Sequence, residues 1–207
     1  MYSAEMVVTS YLEYNSAEVS SLITRCQSGD REAFDELVAR YQTYVFNLSY
    51  QHLGRSDDLD DVAQEIFLRI FKFIRKYRGN ASLESWIYKI VLNYCRTHAR
   101  RRSMINRLLI PGQAAAKQDQ ERTFEVIDTL PASTYDPAKT AEQRQIAEGI
   151  IAAVRGLPGI YCDILIMREV NELSYEEIAQ ILGISIGTVK SRISRARDLV
   201  RQRIKLP

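Results

Sequence analysis

The chain has 207 residues, 46% hydrophobic and 26% charged, with a net charge of +2. That is the composition of a soluble globular protein, and the length suits one medium domain or two small ones. No run approaches the ~20 apolar residues of a membrane span, so no membrane insertion is expected, and the scattered Cys26, Cys95 and Cys162 suggest neither a disulfide framework nor a zinc site.

Residues 1–17 read as an N-terminal arm. With Glu5 and Glu13, no positive start and no continuous apolar core, they do not resemble a signal peptide, and a cytoplasmic location is expected. Helical periodicity begins with Val19, Leu22, Ile23 and Cys26 on one face. Gly29-Asp30 ends that helix and caps the next, whose buried stripe is Ala33, Phe34, Leu37, Val38 and Tyr41 and which runs to about His52. A turn at Leu53-Gly54-Arg55-Ser56 leads to a helix from about Leu59 to Tyr77, with Val62, Ile66, Ile70 and Phe73 in register. After the loop Arg78-Gly79-Asn80-Ala81, Ser82 caps a helix reaching about Arg102, with Trp86, Ile87, Ile90, Val91 and Tyr94 as its apolar side. Residues 103–139 carry Pro111-Gly112, Pro131 and Pro137 and no sustained period, so they read as a flexible linker. Periodicity resumes near Ala141 with Ile146, Ile150, Ala153 and Val154. It breaks at Leu157-Pro158-Gly159 and returns with Cys162, Leu165, Ile166 and Val170. No strand-like alternation occurs, so the expected fold is all-α, with two small helical domains at 18–102 and 140–207 joined by the linker.

Charge separates along the second domain. Thr140 to Gly183 holds seven acidic residues and three basic ones, whereas Ile186 to Pro207 holds seven basic residues and one acid. A net +6 over 22 residues is a candidate polyanion footprint, or else a solvated helix face. Pattern favours the former. Ser174 with Glu177 forms a capping box, Ala179 is small where a second helix must cross, Gly183 suits a left-handed turn, and Ile184, Val189 and Ile193 are placed to anchor the second helix. This is a helix-turn-helix pattern. Its second helix presents Thr188, Ser191, Arg192 and Arg195 on one polar face, with Lys190, Arg197 and Arg201 beside it, a set suited to the major groove.

A second cationic stripe, Lys89, Asn93, Arg96 and Arg100, follows the loop that holds Tyr77, Arg78, Asn80 and Ser82. Aromatic, amide and cationic groups around a loop can stack on and hydrogen-bond an unpaired base, although exposed basic helix faces are also common. The cluster Asp57, Asp58, Asp60 and Asp61 admits a nuclease-like metal reading. Carboxylates opposing a helix dipole at its start explain it better, and neither a metal nor a cofactor is expected.

These motifs, in this order, resemble an extracytoplasmic-function (ECF) sigma factor of the sigma-70 family, of the sigma-E type. The resemblance rests on Gly29-Asp30-Arg31-Glu32-Ala33-Phe34, Asp61-Val62-Ala63-Gln64-Glu65-Ile66-Phe67, Tyr77-Arg78-Gly79 with Ser85-Trp86-Ile87-Tyr88-Lys89-Ile90, and the helix-turn-helix ending in Gly187-Thr188-Val189-Lys190-Ser191-Arg192. It implies a non-enzymatic subunit that binds core RNA polymerase and directs promoter-specific initiation in a stress response. By the same resemblance, the first domain is sigma region 2 and the second sigma region 4. Asp61, Gln64 and Glu65 would meet the β′ clamp helices, and the β flap would be a further polymerase contact. Tyr77, Arg78, Asn80, Ser82, Lys89, Asn93 and Arg96 would serve the −10 element, and Thr188, Lys190, Ser191, Arg192 and Arg195 the −35 element. An anti-sigma protein is implied as a partner. The long arm, Ser194 and the Gly156 to Tyr161 connection depart from the sigma-E pattern, which puts promoter preference in doubt. The competing readings are a helix-turn-helix regulator that works without being a polymerase subunit, and a metal-dependent nuclease built on the acidic cluster.

Overall fold

The computed structural model describes residues 16–54, 58–109, 153–154 and 156–204. Helix α1 (Ser16–Ser28) leads into α2 (Arg31–Leu53), and α3 (Leu59–Phe73) ends in a 3-10 turn (Ile74–Lys76). The long α4 (Leu83–Leu109) completes the first unit. The second unit has α5 (Gly159–Leu165), which runs into a π-helical turn (Ile166–Val170), then α6 (Tyr175–Leu182) and α7 (Ile186–Arg203). No β-strand occurs among the described residues, in keeping with the expected all-α class. The arm, the proline-bearing part of the linker and most of the stretch around Ile146 and Ile150 lie outside the described residues.

The helix boundaries follow local chemistry. Gly29 takes φ 91°, and Asp30 Oδ1 accepts from the Ala33 amide at 3.2 Å to cap α2. Ala33, Leu37, Tyr41, Val45 and Leu48 then form a buried stripe at spacings of three and four, while Phe34 and Val38 are only half-buried. In α3, Val62, Ile66 and Ile70 are buried as their spacing predicts. Phe73 is not; the tighter 3-10 winding puts Ile74 into the core instead. Helix α4 continues to Leu109, past the expected end at Arg102. The residues after Arg102 are mostly good helix formers.

Carboxylates at the start of α3 are only partly explained by capping. Asp60 and Asp61 lie in the first turn, where they oppose the helix dipole. The N-cap residue Asp58 makes no side-chain cap bond; its Oδ2 sits 3.1 Å from His98 Nε2 on α4.

The larger departure concerns α4 and the relation of the two units. The apolar side expected at Trp86, Ile87, Ile90, Val91 and Tyr94 is only part of what is buried. Leu83, Tyr88, Leu92 and Cys95 are buried as well, whereas Trp86, Ile90 and Tyr94 are half-buried. Helix α4 packs on α2 and α3 and also on α6, so the second unit rests against the first and the two share one continuous apolar core. A helix covered on two sides needs a wider apolar arc than a surface helix.

Candidate nucleic-acid interface

The helix-turn-helix is built as its sequence predicts. Ser174 Oγ accepts from the Glu177 amide at 3.2 Å, and Glu177 Oε2 accepts from the Ser174 amide at 2.8 Å. Gly183 ends α6 in the left-handed region at φ 66°, where a side chain would be strained. Ser185 caps α7 by accepting from the Thr188 amide at 3.2 Å. Ile178, Ile181, Val189 and Ile193 close the corner between α6 and α7.

Arg203 at the end of α7 donates to the Ala153 carbonyl at 3.3 Å, and the other cations of the helix fall into two groups. Lys190 and Arg195 are exposed and Arg192 is half-buried, with no ion pair to any described residue. Arg197 instead grips Glu169 Oε1 through Nη2 at 2.7 Å, and Arg201 holds Asp198 at 3.1 Å. The hydroxyls of the face are also engaged: Thr188 Oγ1 meets Ser185 Oγ at 2.9 Å, and Ser191 donates to the Thr188 carbonyl at 3.0 Å. Lys190, Arg192 and Arg195 are therefore the cations ready for an external anion.

The loop at residues 77–82 is pinned at several points. Gln27, on the last turn of α1, donates from Nε2 to the carbonyls of Ile74 at 3.1 Å and Tyr77 at 2.8 Å. The Tyr77 hydroxyl donates to the Ala81 carbonyl at 2.6 Å, and its ring lies edge-on to Trp86 at 5.4 Å. Burial, then the Glu84 carboxylate, holds that hydroxyl above its ordinary value, so it remains a donor. Ser82 caps α4 by accepting from the Ser85 amide at 3.1 Å. Tyr77 and Ser82 thus shape the loop, while Arg78 and Asn80 project from it, exposed on either side of Gly79 at φ 72°.

Gln27 is a residue that sequence reasoning missed; a lone amide beside a core cysteine gives no signal. Gln27→Ala removes both bonds to the loop. At ~0.5–1.5 kcal/mol each, amide exchange at residues 78–81 should rise by about tenfold, with helix content unchanged; exchange as slow as in the parent would show that the loop holds itself.

On α4, Lys89, Asn93 and Arg100 are exposed, as the stripe requires. Arg96 is not free. Its Nε and Nη2 both lie 2.8 Å from Asp163 Oδ2, a carboxylate of α5 that is 2% exposed. Asp163 Oδ1 is 3.3 Å from Nδ1 of the buried His52, and His52 Nε2 is 3.0 Å from the Tyr88 hydroxyl. Asn171 donates to the same hydroxyl at 3.0 Å. Burial alone would raise the Asp163 carboxyl, but His52 and Arg96 outweigh it and hold the carboxyl below its ordinary range.

Helix α3 carries a different surface. Asp61, Gln64 and Glu65 are exposed on the side away from Val62 and Ile66. Leu68 and Phe71 extend that side, 62% and 49% exposed, with the Phe71 ring edge-on to Phe34 at 4.9 Å. Sequence reasoning passed over both, although apolar residues in step with exposed Asp61, Gln64 and Glu65 were visible. Among the described residues no three His, Cys, Asp or Glu side chains gather as metal ligands, and no helix is long and apolar enough to cross a membrane.

A capped helix-turn-helix with an unpaired cationic face, in one chain with a second cationic helix headed by a braced loop, is the architecture of a nucleic-acid-binding protein. Comparison with known proteins gives the class its family. Residues 37–104 match the model for sigma-70 region 2, and residues 147–200 match that for sigma-70 region 4. The chain is 30% identical over 187 residues to the ECF RNA polymerase sigma-E factor of Haemophilus influenzae, covering 89% of this chain and 94% of that protein. It is 30% identical over 179 residues to the RNA polymerase sigma-H factor of Pseudomonas aeruginosa, covering 86% and 90%. Its fold resembles that of CnrH in complex with the cytosolic domain of CnrY, with TM-score 0.55 and 20% identity over 87% of this chain and 93% of that one. It also resembles the sigma factor RpoE in complex with the anti-sigma factor NepR from Bartonella quintana, with TM-score 0.54 and 19% identity over 84% and 97%. The chain belongs to the sigma-70 family, among its ECF RNA polymerase sigma factors. It is an alternative sigma factor, which binds core RNA polymerase and directs transcription initiation at promoters; a protein of this family is an initiation factor and not an enzyme.

Proposed function

We propose that the two units divide the promoter between them, the first taking the −10 element and the second the −35 element. The observation that carries this reading is the partition of the α7 cations, in which Lys190, Arg192 and Arg195 are left unpaired while Arg197 and Arg201 are tied to carboxylates. Arg195 is placed to reach a base edge, with Lys190 and Arg192 on phosphates and Thr188 and Ser191 setting the start of the helix. Arg78 and Asn80 are available to an unpaired base of the −10 element. Tyr77 and Ser82 hold the loop, and Lys89, Asn93 and Arg96 track the same strand. Binding energy from both elements offsets the few kcal/mol needed to extrude a base.

Asp61, Gln64 and Glu65, joined by Leu68 and Phe71, form the face offered to the β′ clamp helices, with the β flap as a further contact. A cognate anti-sigma protein covers part of these surfaces in the resting cell, and release from it couples initiation to a stress signal in the cytoplasm. Support for such a partner comes from the family and from the anti-sigma complex of a similar fold. Residues 1–17, 18–102, 103–139 and 140–207 serve as arm, region 2, linker and region 4.

Run-off transcription with purified core polymerase and a random promoter library tests this reading. The factor should select promoters that core alone does not use. Arg195→Ala should cost ~1–3 kcal/mol at one −35 position and relax preference there. A uniform loss over all sequences would make Arg195 a phosphate clamp, and no new initiation at all would sink the reading.

A further inference from the structure

We propose that Asp163 is an internal stand-in for promoter phosphate, a latch that holds the second unit on α4 and occupies the Arg96 guanidinium until promoter binding replaces it. The inference rests on the assignment of Arg96 to the −10 face. The carboxylate accepts the Arg96 Nε–H at 2.8 Å, with Nη2 also 2.8 Å from the same oxygen, the short charge-assisted spacing that a phosphate oxygen would use. Its other oxygen faces His52 Nδ1 at 3.3 Å, and the polar chain beyond it runs on without a clash of donors. Asn171 can only donate from Nδ2, so the Tyr88 oxygen accepts and its proton points to His52 Nε2, which leaves the imidazole proton on Nδ1, on the side of Asp163. Burial keeps the Tyr88 hydroxyl protonated and able to play that part. His52, Tyr88 and Arg96 come from the first unit, and Asp163 and Asn171 from the second, so the network is a contact between the two halves of the factor.

This closed arrangement cannot engage a whole promoter. The −10 and −35 elements lie about 25 base pairs apart, or roughly 85 Å at ~3.4 Å per pair. A compact chain of this size has a radius of gyration of only ~17 Å. One unit must leave the other before both elements are held. The chain between residues 109 and 153 is long enough to allow this at ~3.3–3.6 Å per extended residue. Lys190 and Arg195 stay exposed in the closed form, whereas Arg96 is masked. The latch therefore withholds Arg96 in particular, while Arg78, Asn80, Lys89 and Asn93 stay exposed.

The full chain supplies the test. Dyes at Gln42→Cys on α2 and Gln180→Cys on α6 occupy exposed positions, and the three native cysteines are buried. Asp163→Asn should raise the low-transfer, open population at least tenfold. Because apparent affinity scales with the competent fraction, binding to a random pool of short single-stranded deoxyoligonucleotides should tighten by a similar factor. Arg96→Gln, at a partly exposed position that the fold tolerates more readily, should open the chain as well but bring no gain in DNA binding. Unchanged energy transfer in both folded variants overturns the latch. Opening by Asp163→Asn without tighter DNA binding overturns the competition and removes Arg96 from the −10 face. Polymerase-dependent transcription from the library then still reports separately on the wider division of the promoter.

Discussion

Replacing Leu68 with aspartate is expected to leave the fold intact and to weaken binding to core polymerase by about 30-fold or more. Leu68 is 62% exposed on α3 and contributes little to the core, so the substitution has almost no folding cost. Its position one and two turns beyond Gln64, Glu65 and Asp61 puts it at the centre of the side proposed to meet core polymerase, with Phe71 next to it. An apolar group surrounded by polar ones is the arrangement of an interface hot spot, where removal costs ~2 kcal/mol or more. A buried aspartate adds the desolvation of an unpaired charge. Titration of labelled factor with core enzyme measures the loss, and thermal unfolding of the free chain checks the fold. Core binding within threefold of the parent would remove α3 from the polymerase interface.

The parts of this molecule that were legible in its sequence are those decided within a few residues. The Ser174–Glu177 capping box, the Asp30 cap and the left-handed Gly183 depend on neighbours three or four positions away, and each has the form its sequence predicts. The register of Val62, Ile66 and Ile70 was equally local. Phe73 was misplaced because the change from α to 3-10 winding depends on how the chain enters the next loop, which periodicity does not encode. Tyr88, Leu92 and Cys95 were missed for a different reason. Helix α4 packs between α2 and α6, and Tyr88 meets both His52 of the first unit and Asn171 of the second, so no window of sequence holds both surfaces.

Site residues divide along the same line. Arg192 and Arg195 could be found because they share one helical face with Thr188 and Ser191, with Lys190 beside it, but the sequence could not show that Arg197 and Arg201 are paired. Arg96 was recognised as a member of the α4 stripe and His52 as the end of α2, with no sign that one aspartate joins them. A buried carboxylate such as Asp163 lies in an otherwise apolar segment, Cys162 to Met167, where a single charge reads as an exposed position of an amphipathic helix. Only the three-dimensional arrangement reveals that its charge is matched from the other half of the molecule, which is why it carries the further inference and not the sequence reading.

The second large effect concerns the helix-turn-helix itself. Ile178→Ala is expected to destabilise the second unit by ~2–5 kcal/mol, the range for deleting a fully buried aliphatic side chain that leaves a cavity. Ile178 is 0% exposed and packs among Ile181, Val189 and Ile193, which set the angle of α7 against α6. A unit of this size has little reserve, since whole domains are stable by only ~5–15 kcal/mol. Loss of the corner should therefore unfold α6 and α7 near physiological temperature and abolish −35 binding, while the capped α2 and α4 keep most of the helical signal. Urea denaturation followed by circular dichroism should show two transitions where the parent, with its shared core and its Asp163 contact, shows one. Ile178→Val, which removes a single methylene, should cost only ~0.5–1.5 kcal/mol and retain DNA binding. If Ile178→Ala instead unfolds in one step at lower urea, the two halves are coupled more tightly than the strength of the latch allows, and the open form needed on a promoter would have to come from partial unfolding and not from rigid separation of the units.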